Sequence, residues 1–66
     1  MQIRVNGKDM SIEDNWTLLD FLNSLRLQEE RIAVERNQEI VPRENWSMIH
    51  LSNGDELEIV RFVGGG

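Results

Sequence analysis

The sequence predicts an α+β fold in which one main helix packs on one face of a mixed, mostly antiparallel sheet of four to five strands. Three observations carry this prediction: residues 1–6 alternate apolar and polar side chains, residues 18–25 repeat them with a helical period, and residues 56–63 return to alternation. A chain of 66 residues without cysteine has room for one core and no disulfide to support it. We therefore expect a single domain over residues 1–63 and a flexible glycine tail over residues 64–66.

The chain opens with a predicted β-hairpin. Apolar and polar residues alternate over residues 1–6 and again over residues 9–13. Asn6-Gly7 separates the two runs and is the dipeptide that two-residue hairpin turns favour. Two antiparallel strands joined at this turn are therefore predicted.

One short amphipathic helix follows the hairpin. Four apolar residues are spaced so that they share one helical face, which we expect to cover the core: Leu18, Phe21, Leu22 and Leu25. Thr17, followed three residues later by Asp20, resembles a capping box with Asp in place of Glu. The helix is therefore predicted to begin at Thr17.

The second half of the chain is predicted to be mostly strand. Residues 28–31 form a polar connection, and residues 32–36 have strand-like composition. Asn37-Gln38 can turn the chain into a short edge strand, which Pro42 ends because proline cannot donate to a sheet.

An irregular turn is expected over residues 43–46. After it, four apolar residues are expected to fold back over the core: Trp46, Met48, Ile49 and Leu51. A tight turn at residues 52–55 then leads into the last strand, residues 56–63. This order of elements is the outline of a β-grasp domain.

The charge of the chain argues against two classes of partner. Seven Lys and Arg against twelve Asp and Glu give a net charge of −5 and a pI near 4.6. That sign is wrong for binding nucleic acid or an anionic membrane surface. No apolar run approaches the roughly 20 residues that span a bilayer, and the first residues lack a hydrophobic signal segment. We expect a cytoplasmic protein with neither nucleic acid nor membrane as a partner.

Catalytic chemistry has little support in the sequence. The chain has one histidine, His50, and no cysteine, and its carboxylates are spread along its length. His50 alone gives no metal site and is expected to be a surface or hydrogen-bonded residue. Trp16 and Trp46 are expected at the core or its rim, since no basic patch accompanies them. We predict no catalytic residue and no bound metal.

The tail Gly64-Gly65-Gly66 is the feature that suggests a function. One interpretation is a frayed terminus without a role. The other is a thin tether that carries the α-carboxylate of Gly66 roughly 10 Å beyond the fold, into the active site of another protein. A carboxylate is a poor electrophile, so chemistry there needs activation, most simply as a mixed anhydride with AMP.

A candidate partner surface lies beside this tail. If Leu57 and Ile59 point inward, Glu58, Val60 and Phe62 share the opposite face of the last strand. Val60 and Phe62 would then form an exposed apolar patch. The alternative is that a bulge or the sheet edge covers Phe62.

Two segments carry a family resemblance. Residues 35–43 (ERNQEIVPR) and residues 53–66 (NGDELEIVRFVGGG), together with the Asn6-Gly7 hairpin and the length, resemble the sulfur carrier proteins of thiamin biosynthesis, the ThiS family. The similarity covers essentially the whole chain. It implies a ubiquitin-like β-grasp protein that is a substrate of enzymes and not itself an enzyme.

The resemblance also implies a chemical role for the tail. An adenylating enzyme would use ATP and magnesium to convert Gly66 to an acyl adenylate. Sulfur from a cysteine desulfurase or another source would then give a thiocarboxylate, which donates sulfur to thiazole synthase. Gly64 and Gly65 would enter the partner active sites, and Val60, Arg61 and Phe62 would contribute the interface. No cofactor is expected to be bound permanently.

Other readings of the same tail stay open. The sulfur could serve another pathway, such as molybdopterin synthesis or tRNA thiolation. The chain could also be a ubiquitin-like modifier whose Gly66 is joined to a lysine. A third possibility is a β-grasp binding module with an inert tail.

Overall fold

The computed structural model describes residues 1–27 and 31–62. Within these ranges the chain forms five strands, one α-helix and one 3₁₀ helix: β1 (Gln2–Val5), β2 (Lys8–Ser11), α1 (Leu18–Ser24), β3 (Ile32–Arg36), β4 (Glu39–Ile40), the 3₁₀ helix (Arg43–Asn45) and β5 (Glu56–Arg61). The strands form one sheet in the order β2-β1-β5-β3-β4. Strands β1 and β5 pair in parallel, and the other neighbours are antiparallel. The predicted α+β class with a mixed sheet is confirmed.

Two turns of the same kind build the two edges of the sheet. Asn6 and Gly7 have φ angles of 50° and 82°, and Asn37 and Gln38 have φ angles of 51° and 72°. Each pair connects adjacent antiparallel strands, with Val5 opposite Lys8 and Arg36 opposite Glu39. Positive φ at both central residues is the geometry that matches the twist of the flanking strands. Both predicted turns, and the short edge strand β4, are confirmed.

The capping box predicted for the helix is present. The Thr17 hydroxyl accepts a hydrogen bond from the Asp20 N–H at 3.0 Å, and the Asp20 carboxylate accepts one from the Thr17 N–H at 3.0 Å. The helix ends at Ser24, so Leu25 is its C-terminal cap and is 39% exposed. The prediction that Leu25 covers the core with the other three apolar residues is therefore wrong, because its position lies past the last helical turn.

The core lies between α1 and the sheet. Its most deeply buried side chains come from the helix, from β3 and from β5: Leu18, Phe21, Leu22, Val34 and Leu57. Trp46 is also buried, and its indole N–H donates to the Val41 carbonyl at 3.0 Å, so the polar atom of this side chain is satisfied. The expected packing of Leu51 and Ile49 is confirmed.

Met48 does not pack on the core as expected. Its N–H donates to the Asn45 carbonyl at 3.0 Å, which makes it part of the turn that follows the 3₁₀ helix. The chain buries Trp46 on one side of this turn, and Met48 is left 67% exposed. The prediction failed because this segment has no strand or helix period from which the direction of each side chain could be read.

The last strand is shorter than predicted. It ends at Arg61, and the Phe62 N–H still donates to the Arg31 carbonyl at 2.8 Å. Val63 and the predicted tail, residues 64–66, lie outside the described residues, as does most of the polar connection, residues 28–30. In the described ranges no helix is both long and apolar enough to cross a membrane.

Candidate functional site

The candidate site is the carboxyl-terminal end of β5, the central strand of the sheet. Strands β1 and β3 flank β5, so this strand leads the chain out of the middle of the fold toward the glycines. Gly64, Gly65 and Gly66, the residues predicted to carry the chemistry, lie outside the described residues. The geometry of the site is therefore that of the last residues of β5 and their neighbours.

The last strand has one buried and one exposed face, as its alternation predicts. Leu57 is buried, and Ile59 is partly buried against the core. On the opposite face, Val60 is 53% exposed and Phe62 is 57% exposed. The predicted exposure of both side chains is confirmed, and the alternative in which Phe62 is covered is wrong. Their role in binding a partner stays a prediction.

Residues of β3 extend this exposed face. Ala33 lies directly opposite Val60, so it shares the same face and connects with it. We call Ala33, Val60 and Phe62 the terminal patch. Glu35 and Glu58 are paired in the next position along the two strands, which places two carboxylates at the border of the patch. Sequence reasoning missed Ala33 and Glu35 because only the register of β3 against β5 brings them here.

Arg61 lies on the other face of the sheet. It is opposite Ile32, and it lines an apolar groove of about 270 Å³ whose other lining residues are Val5, Asn6, Leu25, Leu27, Ile32 and Ile59. Val60, Arg61 and Phe62 were predicted to form one interface. The structure divides their side chains between two faces of the sheet, because successive side chains of a strand point in opposite directions, and their role in a partner interface stays a prediction.

Two asparagines hold β5 in place. The Asn6 side chain accepts from the Ile59 N–H at 2.8 Å and donates to the Ile59 carbonyl at 3.2 Å. The Asn37 side-chain oxygen accepts from the Glu56 N–H at 3.0 Å, and the backbone N–H of Asn37 donates to the Glu56 carbonyl at 2.8 Å. Both asparagines therefore combine a positive-φ turn with a side chain that fixes the strand leading to the tail.

A buried carboxylate fixes the start of the same strand. Asp55 accepts hydrogen bonds from the Arg36 Nε at 2.9 Å, the Asn37 Nδ2 at 3.1 Å and the Ser52 N–H at 2.8 Å. Burial raises the pKa of Asp55, but the hydrogen bonds from Ser52, Asn37 and Arg36 together outweigh it, so the pKa lies below its usual value. Asp55 is therefore a structural anchor, and its charged form is the one that the fold stabilises.

The remaining candidate groups do not converge on a site. His50 is exposed, and its backbone forms an isolated antiparallel β-bridge with Thr17. The His50 carbonyl accepts a hydrogen bond from the Arg36 guanidinium at 3.5 Å. Among residues 1–27 and 31–62, no three or more metal-ligating side chains come together. In the described part of the chain, the terminal patch and the groove are the surfaces at the carboxyl-terminal end of β5.

A family model and several proteins match this chain over nearly its whole length. The ThiS family matches residues 3–66. The sulfur carrier protein ThiS of Bacillus subtilis (strain 168) is 42% identical over 65 residues, which is 97% of this chain and 98% of that protein. The crystal structure of the thiamine biosynthesis protein (ThiS) from Geobacter metallireducens has a TM-score of 0.85 and 32% identity, with both chains fully covered. The chain is thus similar to ThiS proteins in sequence and in fold.

A longer relative is also similar. The thiazole synthase of Paramagnetospirillum magneticum is 38% identical over 66 residues, which is all of this chain. The chain spans only about a fifth of the length of that protein. A segment that resembles this chain therefore occurs within a protein named as a thiazole synthase.

Proposed function

This chain belongs to the ThiS family, and from that membership we propose that it carries sulfur on the α-carboxylate of Gly66. Its function is that of a sulfur carrier for thiamin biosynthesis. It is a small carrier protein, and we propose that it acts as the substrate of an adenylating enzyme and as the sulfur donor to a synthase. The observation that supports this role most is the exposed terminal patch, which ends just before the three glycines.

The proposed chemistry has two steps. A Gly66 carboxylate oxygen attacks the α-phosphorus of ATP, with magnesium on the phosphates, and pyrophosphate leaves. Sulfide then attacks the acyl carbon, and AMP leaves with the electrons of the broken C–O bond. Where a cysteine desulfurase supplies the sulfur as a persulfide, its terminal sulfur attacks in the same way, and a thiol reductant then cleaves the S–S bond of the resulting acyl disulfide. The product is a thiocarboxylate. AMP is a far better leaving group than oxide, which is why the carboxylate must be activated first.

Gly64 and Gly65 give this terminus its reach. Without side chains, they keep the tether narrow, and they place no bulk beside the acyl carbon where the sulfur nucleophile approaches. Ordering them in an active site costs on the order of 1–2 kcal/mol per residue. That cost favours release after each transfer, which suits a carrier that must visit more than one enzyme.

The terminal patch supplies the surface on which these enzymes dock. Val60 and Phe62 offer exposed apolar area next to the tail, and Glu35 and Glu58 border it with negative charge. Two carboxylates directly opposite one another repel, so a partner that places cations beside them gains attraction and relieves that repulsion. We propose that the adenylating enzyme and thiazole synthase both use this patch.

Thiazole synthase is the proposed sulfur acceptor. Proteins of that name carry a segment similar to this chain, which supports the proposal that the carrier and the synthase act together. The adenylating enzyme and the sulfur source are proposed from the chemistry that the carboxylate needs. We place this exchange in the cytoplasm, where ATP is available.

An exchange assay tests the first step. Incubated with its adenylating enzyme, ATP and magnesium, the chain should support exchange of labelled pyrophosphate into ATP. Deletion of Gly65 and Gly66 should abolish exchange while the thermal unfolding midpoint stays unchanged, whereas Met48→Ala, a matched exposed change away from the tail, should keep it. Exchange that survives the deletion would show that the terminus is not the activated group.

A further inference from the structure

Strand β5 has neighbours of unequal length on its two edges. On one edge, β3 stays paired up to Arg61, and the hydrogen bond from Phe62 to Arg31 continues this pairing by one residue. On the other edge, β1 is paired only with Glu56 and Leu57 before it turns away at Asn6-Gly7. The last part of β5 is therefore paired with β3 on one side and has no paired strand of the described residues on the other.

The register shows which backbone groups face the open edge. Hydrogen bonds from Asn37 to Glu56 and from Phe62 to Arg31 show that the even-numbered residues of β5 direct their N–H and C=O groups toward β3. The odd-numbered residues direct theirs toward β1, as the bond from the Asn6 N–H to the Leu57 carbonyl shows. The N–H and C=O groups of Arg61 therefore point to the side that β1 has left.

Asn6 closes this edge for one residue only. Its side-chain amide binds both the N–H and the C=O of Ile59, in the place where another residue of β1 would stand. The next residue with the same backbone direction is Arg61. No strand of the described residues pairs with it on that side, so it presents a donor and an acceptor spaced for an added strand.

An apolar groove lies below this open edge. Among the described residues that line it, Arg61 is the charged one, and Leu25, Leu27 and Ile59 give it apolar walls. Leu25 is available at this surface because the helix ends before it. The groove thus offers side-chain binding on the same face to which Arg61 points, next to an unpaired stretch of backbone.

We propose that an extended segment of the adenylating enzyme pairs with β5 at Arg61, on the side where β1 no longer pairs with β5. Its backbone pairs with the N–H and C=O of Arg61, an apolar side chain enters the groove, and a carboxylate two residues away, on the same face of the added strand, pairs with the guanidinium. Addition of a strand to an exposed edge combines main-chain affinity with side-chain specificity. This proposal rests on the proposed function, since it concerns the enzyme that activates the terminus.

A second copy of this chain fits the edge poorly. Two copies paired about a two-fold axis would place one Arg61 near the other, and each copy carries a net charge of −5. The net charge therefore favours a different protein, whose added segment supplies an apolar side chain for the groove and one carboxylate for Arg61. The partner would then contact both faces of the sheet at the end of β5. The added strand would lie beside the groove, and the terminal patch would be bound on the opposite face.

Hydrogen exchange at single amides tests the proposal directly. In the free chain the Arg61 amide should exchange rapidly, while the amides of Phe62 and Ile59, bonded to Arg31 and Asn6, should be protected. In the complex with the adenylating enzyme, exchange at Arg61 should slow by at least about tenfold. Unchanged exchange at Arg61 in a saturated complex would overturn the proposal.

Two variants test the groove and the charge. Leu25→Gln and Arg61→Ala should each weaken binding of the adenylating enzyme roughly two- to fivefold, while Met48→Gln, exposed elsewhere, should not. Wild-type affinity in both variants would contradict the proposal. Failure is distinguishable from failure of the carrier function, because thiocarboxylate formation on the wild-type chain is measured separately: its presence without protection at Arg61 rejects only the added strand.

Discussion

Replacement of Phe62 by alanine separates the role of the terminal patch from the stability of the fold. A phenylalanine side chain buries about 200 Å² when fully enclosed. Phe62 is 57% exposed in the free chain, so about 110 Å² remains to be buried by a partner. At about 25 cal/mol per Å², complete burial of that area contributes at most about 2.8 kcal/mol to binding, so the loss in Kd is expected to be up to roughly a hundredfold.

The same substitution should have a smaller effect on folding. Phe62 lies past the end of β5, and less than half of its side chain is enclosed. We expect Phe62→Ala to lower the free energy of unfolding by less than about 2 kcal/mol. Leu57→Ala, on the buried face of the same strand, should lower it by about 2–5 kcal/mol because it leaves a cavity.

Calorimetric titration with the adenylating enzyme, combined with thermal unfolding of each variant, measures both effects. Met48→Ala is the control, since Met48 is similarly exposed but lies in the turn after the 3₁₀ helix. Unchanged Kd for Phe62→Ala would refute the assignment of the terminal patch as a docking surface. A loss of stability as large as that of Leu57→Ala would show that Phe62 belongs to the core.

Three further predictions concern the anchors and the tail. The Asp55 pKa is lower in the folded than in the unfolded chain, so its stabilisation is fully present above about pH 3.9 and is lost as pH falls through the folded pKa. Urea unfolding at stepwise lower pH should show this loss, and Asp55→Asn should flatten it. A variant with the wild-type pH dependence would show that other carboxylates dominate. Asn6→Gly, which keeps the positive φ but removes the bonds to Ile59, should cost about 1–2 kcal/mol in the same assay, and no loss would mean that these bonds are replaced by water. Gly65→Val should leave thermal unfolding unchanged but block adenylation, since a β-branched side chain stiffens and widens the tether. Normal pyrophosphate exchange would show that the adenylating enzyme does not require a narrow tether.

Local signals in the sequence were sufficient for most of the elements. Asn6-Gly7 predicted its hairpin, Thr17 and Asp20 predicted the start of the helix, and the alternation from Glu56 predicted the exposure of Val60. Each of these features depends on residues that are close in the chain. Errors occurred at the ends of elements, where Leu25 follows the last helical turn and Met48 lies in an irregular segment.

The parts of the site that the sequence did not predict depend on contacts between distant segments. The pairing of β1 with β5 brings the Asn6 side chain to Ile59, 53 residues away. The hydrogen bonds to the Asp55 carboxylate join the turn at Asn37 to the loop before β5. No periodicity or residue spacing in the sequence indicates either contact, because each depends on the register of strands that are adjacent only in the folded sheet.

Intact and tandem mass spectrometry of the chain tests whether Gly66 carries the sulfur. The protein is incubated with ATP, magnesium, its adenylating enzyme and a sulfide source, and the position of any sulfur is found by fragmentation. Fragmentation is needed because oxidation of Met1, Met10 or Met48 adds nearly the same mass as replacing oxygen with sulfur. Sulfur is expected on the carboxyl group of Gly66. An unmodified terminus, under conditions in which the Bacillus subtilis carrier protein is converted, would contradict it.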